Sequence, residues 1–546
     1  MKLSYMRRDT GNALADAYLR GDAQALSLYS YGALNPDVAR RRIAELDGLH
    51  DPAGRESLVA AIEGYMEAVT GISPGVRELL CLLADPQSVA VVTGQQAGLF
   101  TGPLYTVYKA LSAAAQARRL SEQLGRPVIP VFWVAAEDHD FDEVASAWYV
   151  CGTGEVARAV LRDRPLLRVP VGRHAIGNEE MQRLLEELAL RLPDGMYRSD
   201  ILEDIREAHA ATDNMADFFA RLLARWLRDT PLLFVNPMTR PLRVMAREAF
   251  SRVLADPAQF RDAALSGAAR VAALGYDPQV EVHQHHSLLY VIEEGRRTPL
   301  DFDPAAPDRF TLRGTRSHYT RRELERRLQR SPEDFSAGVL YRPVVQDFLL
   351  PVVGYVGGAA EIAYHGMMAD IFAAAGRHTP PLALRTRALA IPRPTARSME
   401  KYGLSMDDVL ACDPVRDWLS RKTEPSVDHV IAAMEFAAER VVQEHTPFFT
   451  AIDPTLTHAV KRAEHAVRDD LRRLRARADR ALRLRHEQDL RAISALCAWL
   501  APDSQEQERT LSPLSLISKY GLGWMADMAR IDPPPKWNDV IVLEWI

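Results

Sequence analysis

The chain has 546 residues, 47% hydrophobic and 26% charged, the balance of an ordinary globular protein and enough length for several domains. Its formal net charge of −6 gives no support to a nucleic-acid partner, and no apolar run is long enough to cross a bilayer. Cys81, Cys151, Cys412 and Cys497 are scattered without CxxC pairing, and no secretory pattern follows Met1-Lys2, so the expectation is reduced thiols in a cytoplasmic protein, with neither a disulfide frame nor a zinc site.

Residues 12–83 carry apolar positions at helical spacing, and residues 1–85 read as an N-terminal helical layer. A β-branched run at 89–93 then predicts a buried strand. It is followed by a loop holding Gly94, Gln95, Gln96, Gly98, Thr101 and Gly102. Pro103 suits the first turn of the next helix, whose apolar face includes Leu104, Val107 and Leu111. Gly125 and Pro127 stop that helix, and a second apolar strand at 128–134 ends in Glu137, Asp138, His139 and Asp140. The result is a β–loop–α–β unit with polar groups at the carboxyl end of its strands, the place where open α/β sheets hold ligands.

Alternating apolar and charged residues at 145–177 predict an antiparallel insertion, and helical patterns resume over 178–228. A short strand at 231–236 ends in a polar loop, Asn236 to Arg240, with a helix over 240–254 after it. Residues 280–313 alternate again, with turn signals at Glu294-Gly295 and 304–307, and predict a second insertion. An apolar run ending at Val356, a Gly357-Gly358 turn and a helix over 359–372 return to the core, and 381–394 should complete its sheet. The expected fold class is α/β. The expected segments are 86–150, 231–279 and 336–397 for the core, with 151–230 and 280–335 as insertions.

Residues 398–501 read as a helical domain. Between 456 and 500 there is neither Gly nor Pro, and Leu456, Val460, Ala463, Val467, Leu471 and Leu474 follow 3/4 spacing with one four-residue stutter. A preceding helix over 427–443 should pair with it antiparallel across a loop at 447–454, giving a protruding coiled-coil hairpin. The tail, 502–546, should return to the main body.

Neither GxGxxG nor GxxxxGK[ST] stands at the first loop. Its glycines instead offer backbone N–H groups at a helix N-terminus, an anion site, although they also suit a tight turn alone. Gln95 and Gln96 fit a polar substrate, Thr101 can cap the helix, and Tyr105 and Lys109 share a face that puts Lys109 near a phosphate or carboxylate. The acidic cluster can hold Mg²⁺, orient an amine or act as general base. Asp140 can also cap a helix, with Glu143 closing a capping box. His283, His285 and His286 read as surface or structural, because no third zinc ligand is marked. Glu361 and His365 stand at i and i+4, either a catalytic pair or a first-turn charge with a packed histidine.

The runs VVTGQQAGLFTGPLYTVYKA and PVFWVAAEDHDFDE closely resemble the bacillithiol-biosynthesis cysteine-adding enzyme family of cysteine ligases. Further matches are NPMTRPL, containing Asn236 and Arg240, the stretch from Tyr341 to Tyr364, containing Gly357, Gly358, Glu361 and Tyr364, and Gln507 to Arg509. The resemblance implies a Rossmann-like core akin to class I aminoacyl-tRNA ligases and nucleotidyltransferases, two connective-peptide insertions, and a coiled coil that makes a homodimer. It implies addition of cysteine to glucosaminyl-malate. Thr93 to Gly98 and Thr101 to Tyr105 stand where the tRNA ligases keep HIGH, yet neither HIGH nor KMSKS occurs here, and Ala359 and Glu506 replace a usual Pro and Leu. Amide formation from a free carboxylate is uphill, so ATP or another nucleotide, with Mg²⁺ as companion, is expected to make an adenylate or acyl phosphate. Thr93 to Lys109, with Asn236, Arg240, Gly357, Gly358, Glu361 and Tyr364, would bind nucleotide and substrate. Glu137 to Asp140 would carry the chemistry, with Asp138 or His139 as the base and no protein-bound metal. The rival reading is a tRNA-ligase-like or nucleotidyltransferase-like enzyme for another small amine or acid.

Overall fold

The computed structural model describes residues 2–49, 52–165, 168–410 and 413–545; Cys412 lies outside them. The other three cysteines are free thiols.

The core is a five-stranded parallel sheet. Its first strand, β1 (Val89–Gln95), leads through helix α1 (Leu104–Leu124) into β2 (Val128–Val134), and β3 (Leu233–Val235) follows. Helices α2 (Arg240–Met245) and α3 (Arg342–Leu349) precede β4 (Val352–Gly357), which runs into α4 (Ala359–His365) and then β5 (Leu382–Leu384). The spatial order is β3-β2-β1-β4-β5, with every neighbouring pair parallel. The chain therefore builds outward from β1 on one side and restarts beside it on the other, which makes β1/β4 the topological switch point. Burial on both faces explains the unbroken apolar strands. Val89 and Val91 enter one core with Ala113, Ala117 and Leu120 of α1, while Ala90 and Val92 enter the other.

The first insertion is a hairpin, Ser146–Val150 with Val156–Val160, and among the described residues between Val160 and residue 178 the only helical turn is Val171–Arg173. The second is a five-stranded antiparallel sheet from His286 to Ala337. Its turn at Glu294-Gly295 has positive φ at both residues, as a two-residue hairpin requires. Residues 280–285 lie outside these strands.

Three expectations need correction. Residues 381–394 do not all join the core sheet: Leu382–Leu384 is its edge, but Ala388–Ile391 pairs with Asp539–Glu544, which also binds Lys2–Arg7. The hairpin loop is not 447–454, because helix α5 (Val427–Ile452) continues through Pro447 and only Asp453 to Thr455 separate it from α6 (Leu456–Arg485). Proline there removes one backbone hydrogen bond without stopping an exposed helix near its end. The long helix over 456–500 is two: it breaks at His486, and Leu490, Ile493, Leu496 and Leu500 are buried.

α5 and α6 run antiparallel, joined by Arg475–Asp428 at 2.6 Å and Arg468–Glu439 at 3.5 Å. Among the described residues of the pair only Ile431 and Leu471 are buried; Phe436, Val441, Phe448 and Ile452 stay exposed. No described helix is long and apolar enough to cross a membrane.

Candidate functional site

The carboxyl ends of β1, β2 and β4 surround a cavity of about 340 Å³ at the switch point. Close strand approach shapes its floor. A Cβ on Gly94 would lie 2.7 Å from the Trp133 carbonyl, so no larger residue fits there. Gly102, at φ +69, lets the chain double back before α1.

Lys109 is buried against this floor. Its ammonium donates to the Gly94 carbonyl at 3.0 Å and to Gln95 Oε1 at 2.8 Å, and it pairs with the Glu361 carboxylate. An ammonium has three protons, and all three are engaged. Of the two partners expected for it, a phosphate or a carboxylate, Lys109 meets a carboxylate, and one of its own chain. Burial holds its pKa down. Burial alone would raise Glu361, but Lys109, the Gly358 N–H at 2.8 Å and the Tyr355 hydroxyl at 2.7 Å hold it below the usual glutamate range.

The acidic edge is arranged otherwise. Glu137 is buried and accepts from Arg243 of α2 at 2.5 Å. Asp138 accepts from Arg342, at the start of α3, at 2.6 Å, with Arg297 of the second insertion 3.8 Å away. Arg297 is itself buried, bonded to Ser336 and the Ala337 carbonyl and stacked 3.8 Å from the Tyr290 ring centre. The loop is clamped from the other side by the first insertion, where Val171 N–H donates to the Asp138 carbonyl at 2.7 Å.

These partners decide the protonation states. Burial pushes Asp138 up, but the Arg342 and Arg297 charges prevail and hold it below the ordinary aspartate range. Burial, Arg297 and Arg168 bring His139 down to about 4. A guanidinium only donates, so the Arg297–His139 contact of 3.1 Å makes Nδ1 the acceptor and leaves the proton on Nε2. At neutral pH Asp138 is an ionised, arginine-bound carboxylate and His139 a neutral donor. Neither arrangement suits a proton acceptor, contrary to the base role expected for one of them. Asp140 is exposed and makes no capping bond, so the capping box with Glu143 is absent. Thr101 does not cap α1 either: it lies at φ +70 with its buried hydroxyl unpartnered, and Pro103 occupies the cap position.

Several atoms on this side are buried without a hydrogen-bond partner: Arg243 Nε and Nη1, and the facing Arg342 Nε and Glu137 Oε2, which lie 3.7 Å apart. Buried polar atoms are normally satisfied, so this pair marks where a ligand or water completes the site.

The family description "Bacillithiol biosynthesis BshC, N-terminal Rossmann-like domain" matches residues 1–386, and its C-terminal coiled-coil counterpart matches residues 388–544. The chain belongs to the BshC family of bacillithiol biosynthesis. It is 33% identical to a Symbiobacterium thermophilum protein over 92% of each chain, and 30% identical to one from Heliobacterium modesticaldum over 97% of each. A Salinibacter ruber protein is 32% identical over 89% of this chain and 88% of its own. All three are described as "Putative cysteine ligase BshC".

Within this BshC chain the remaining predicted residues divide. Gly94, Gln95, Gln96, Tyr105, Lys109, Asp138, Gly358, Glu361 and Tyr364 line the switch-point cavity. Thr93 is buried and ties β1 to β4 through the Val356 carbonyl at 2.8 Å, and the Gly357 carbonyl accepts from Arg385 N–H. Asn236 braces the turn after β3 by bonding Asp217 and the Met238 N–H. Arg240 is exposed and paired with Glu333 at 2.6 Å. It is Arg243, three residues on, that reaches the site. His365 is a packed histidine, not a catalytic partner: it contacts the Glu361 carbonyl rather than its carboxylate and lies between the Tyr355 and Tyr364 rings. His286 faces Asp301 and Tyr290 in the second insertion. Among the described residues no three His, Cys, Asp or Glu side chains converge on a metal position.

Sequence reasoning missed Arg243, Arg297 and Arg342 at the acidic edge, and Glu143, Arg385 and Arg509, which also line the cavity. Arg342 lies 204 residues from Asp138 and Arg297 lies 158 from His139, and no local pattern marks such partners.

Proposed function

We propose that this chain joins the carboxyl group of cysteine to the amino group of glucosaminyl-malate, giving bacillithiol, with the cysteine carboxyl activated at the expense of ATP. The observation that carries the reading is the cavity's mixed charge. Lys109, Arg342, Arg385 and Arg509 face Asp138, Glu143 and Glu361 in one space, which fits a zwitterionic amino acid and a dicarboxylate. Asp138 offers carboxylate oxygens to an ammonium group, and the unpartnered Arg342 Nε offers a guanidinium N–H to a carboxylate. Membership of the BshC family supports the same substrates.

The backbone from Gly98 to Gly102, the N-terminus of the 21-residue α1 and the unpartnered buried hydroxyl of Thr106 fit a nucleotide's phosphates. Bound ATP supplies the leaving group that makes the carboxyl electrophilic. The described residues bring no metal cluster, so Mg²⁺ would arrive with those phosphates. The exposed Phe436, Val441, Phe448 and Ile452 of the hairpin support a homodimer, and the free thiols support a cytoplasmic setting. Light scattering should return twice the chain mass, and Phe436→Glu with Phe448→Glu should return one.

The decisive experiment incubates the protein with cysteine, glucosaminyl-malate and ATP and follows thiol product and nucleotide by mass spectrometry. Product formed in step with AMP or ADP supports the reading and identifies the activation route. Absence of product, or coupling of a different amine in preference, overturns it.

A further inference from the structure

A second cavity, of about 410 Å³, opens on the far side of the first-loop side chains. Gly98, Gly102, Thr106, Trp148 and Gln505 form its walls, and Thr106 presents there a fully buried hydroxyl without a partner. It is not separate from the switch-point cavity. Gln95, Gln96, Tyr105, Glu143 and Arg509 line both, so a single layer of side chains divides them. Two reactants held in adjoining chambers can meet only at that layer.

The five shared side chains differ in what they can do there. The Gln95 and Gln96 amides do not titrate near neutral pH. The Tyr105 hydroxyl accepts from Gln95 at 3.2 Å, and burial beside Glu143 and Glu361 pushes its pKa up to about 12. Arg509 is a permanent cation paired with Glu506 at 3.1 Å. Glu143 alone is a carboxylate. Its chain neighbour Asp142 instead turns outward to Arg164 at 2.8 Å.

We propose that Glu143 is the proton acceptor of the condensation, a step that rests on the cysteine-ligase reading above. One reactant approaches from each chamber. The nitrogen lone pair of the amine forms the C–N bond to the carboxyl carbon, which has been activated by a nucleoside triphosphate. The carbon–oxygen bond to phosphate then breaks, its electron pair leaving with the phosphate, and the nitrogen's proton passes to the Glu143 carboxylate and on to solvent. Gln96 holds the acceptor in place, since its amide lies 3.5 Å from Asp138 Oδ2 and also donates toward Glu143.

The surroundings of Glu143 suit the role as those of Asp138 do not. The groups facing it are Asp138 and Asp140 on its own loop, Tyr105 and Lys109 on α1, and Arg509 from the tail. Glu143 is exposed, so an incoming amine can reach it; its pKa is raised by partial loss of hydration and by the Asp140 and Asp138 charges, with Gln96 and Lys109 opposing. A more basic carboxylate takes a proton from an amine more readily, whereas one bound to two arginines does not.

The test compares wild type with Glu143→Gln and Glu143→Asp in two reactions. Cysteine, ATP and hydroxylamine report activation alone, because hydroxylamine needs no base to trap an activated carboxyl. Cysteine, ATP and glucosaminyl-malate report the complete condensation. In Glu143→Gln, hydroxamate formation should stay within about twofold while amide formation falls by about 100-fold or more, with KM values little changed. Wild-type amide formation should decline as pH falls through the raised glutamate pKa. That acidic limb should disappear in Glu143→Gln and partly return in Glu143→Asp. An unchanged amide rate in Glu143→Gln, or equal loss of both reactions, overturns the proposal. A wild-type protein that makes hydroxamate but no amide, or neither, overturns the cysteine-ligase reading and this proposal with it.

Discussion

Two partly buried carboxylate–cation pairs flank the switch-point cavity, and they are built to different ends. Lys109–Glu361 is closed: each ammonium proton has an acceptor, and Glu361 takes further donors from Gly358 and Tyr355. Asp138–Arg342 is open, because Arg342 Nε and the neighbouring Glu137 Oε2 are buried without partners. A satisfied pair braces β1 against α4 and has nothing left to offer a ligand. An unsatisfied one is costly in the free protein and is relieved when something binds. Burial alone does not separate structural ionic groups from functional ones; the count of unmet hydrogen bonds does.

Breaking the closed pair should have the largest effect, and chiefly on stability. Lys109→Met leaves Glu361 buried without its counter-ion and should cost about 3–5 kcal/mol in urea denaturation. Lys109→Met with Glu361→Gln removes both charges and should recover more than half of that loss. If the double variant is as unstable as the single one, the pair is not self-contained. The open pair should respond in the opposite way. Arg342→Lys keeps a cation beside Asp138 but loses the planar fork, so kcat/KM should fall by about 100-fold with little change in Tm. Full activity in that variant would show that the unpartnered Nε does not face the ligand.

The closed side was far more legible in the sequence than the open one. β1, its glycine loop and α1 are contiguous, and their signals are local: β-branched burial, a left-handed turn at Gly102, helical apolar spacing. Gly358 and Glu361 likewise follow β4 directly. The open side depends on arginines delivered by α2, α3 and the second insertion, each more than 100 residues from its carboxylate. In a chain this rich in arginine, nothing local distinguishes Arg243, which reaches Glu137, from Arg240, which does not. Residues 381–394 misled for a related reason. An apolar run announces burial but not its sheet, and Arg385 and Arg387 divide this one between two sheets.

Acid should separate the two sides by pH window. His365, packed between tyrosines behind the closed pair, is brought down to about 4 by burial. Unfolded histidine titrates near 6.5, so between about 6.5 and 4 the unfolded chain binds the extra proton and stability falls as pH falls. The loss should be about 2 kcal/mol between pH 7 and 5, and His365→Asn, which retains a donor for the Glu361 carbonyl, should remove most of it. His139 shifts in the same direction on the open side but is less buried and should contribute less. Asp138 and Glu361 are held below the usual carboxylate range, so their contributions are present at neutral pH and are lost only at more acidic values. A stability curve flat from pH 7 to 5 in the wild type would contradict the neutral, buried state of His365.

The smallest effect is expected three residues before Arg243. Arg240 lies in one of the strings that resemble the family, yet its guanidinium is exposed and is paired with Glu333 and the Arg330 carbonyl. An exposed pair of this kind is worth well under about 1 kcal/mol. Arg240→Ala should therefore leave amide formation within about twofold of wild type and shift stability by less than about 0.5 kcal/mol. Arg243→Ala strips Glu137 of its nearer counter-ion in the interior, leaving the more distant Arg342, and should abolish activity as the acidic edge rearranges. Depth along the helix explains the contrast: Arg240 is the first residue of α2, at its exposed end, whereas Arg243, about one turn further along, is buried against Glu137. Loss of activity in Arg240→Ala with normal stability would instead bring the loop after β3 into contact with substrate and extend the open side of the site beyond the cavity.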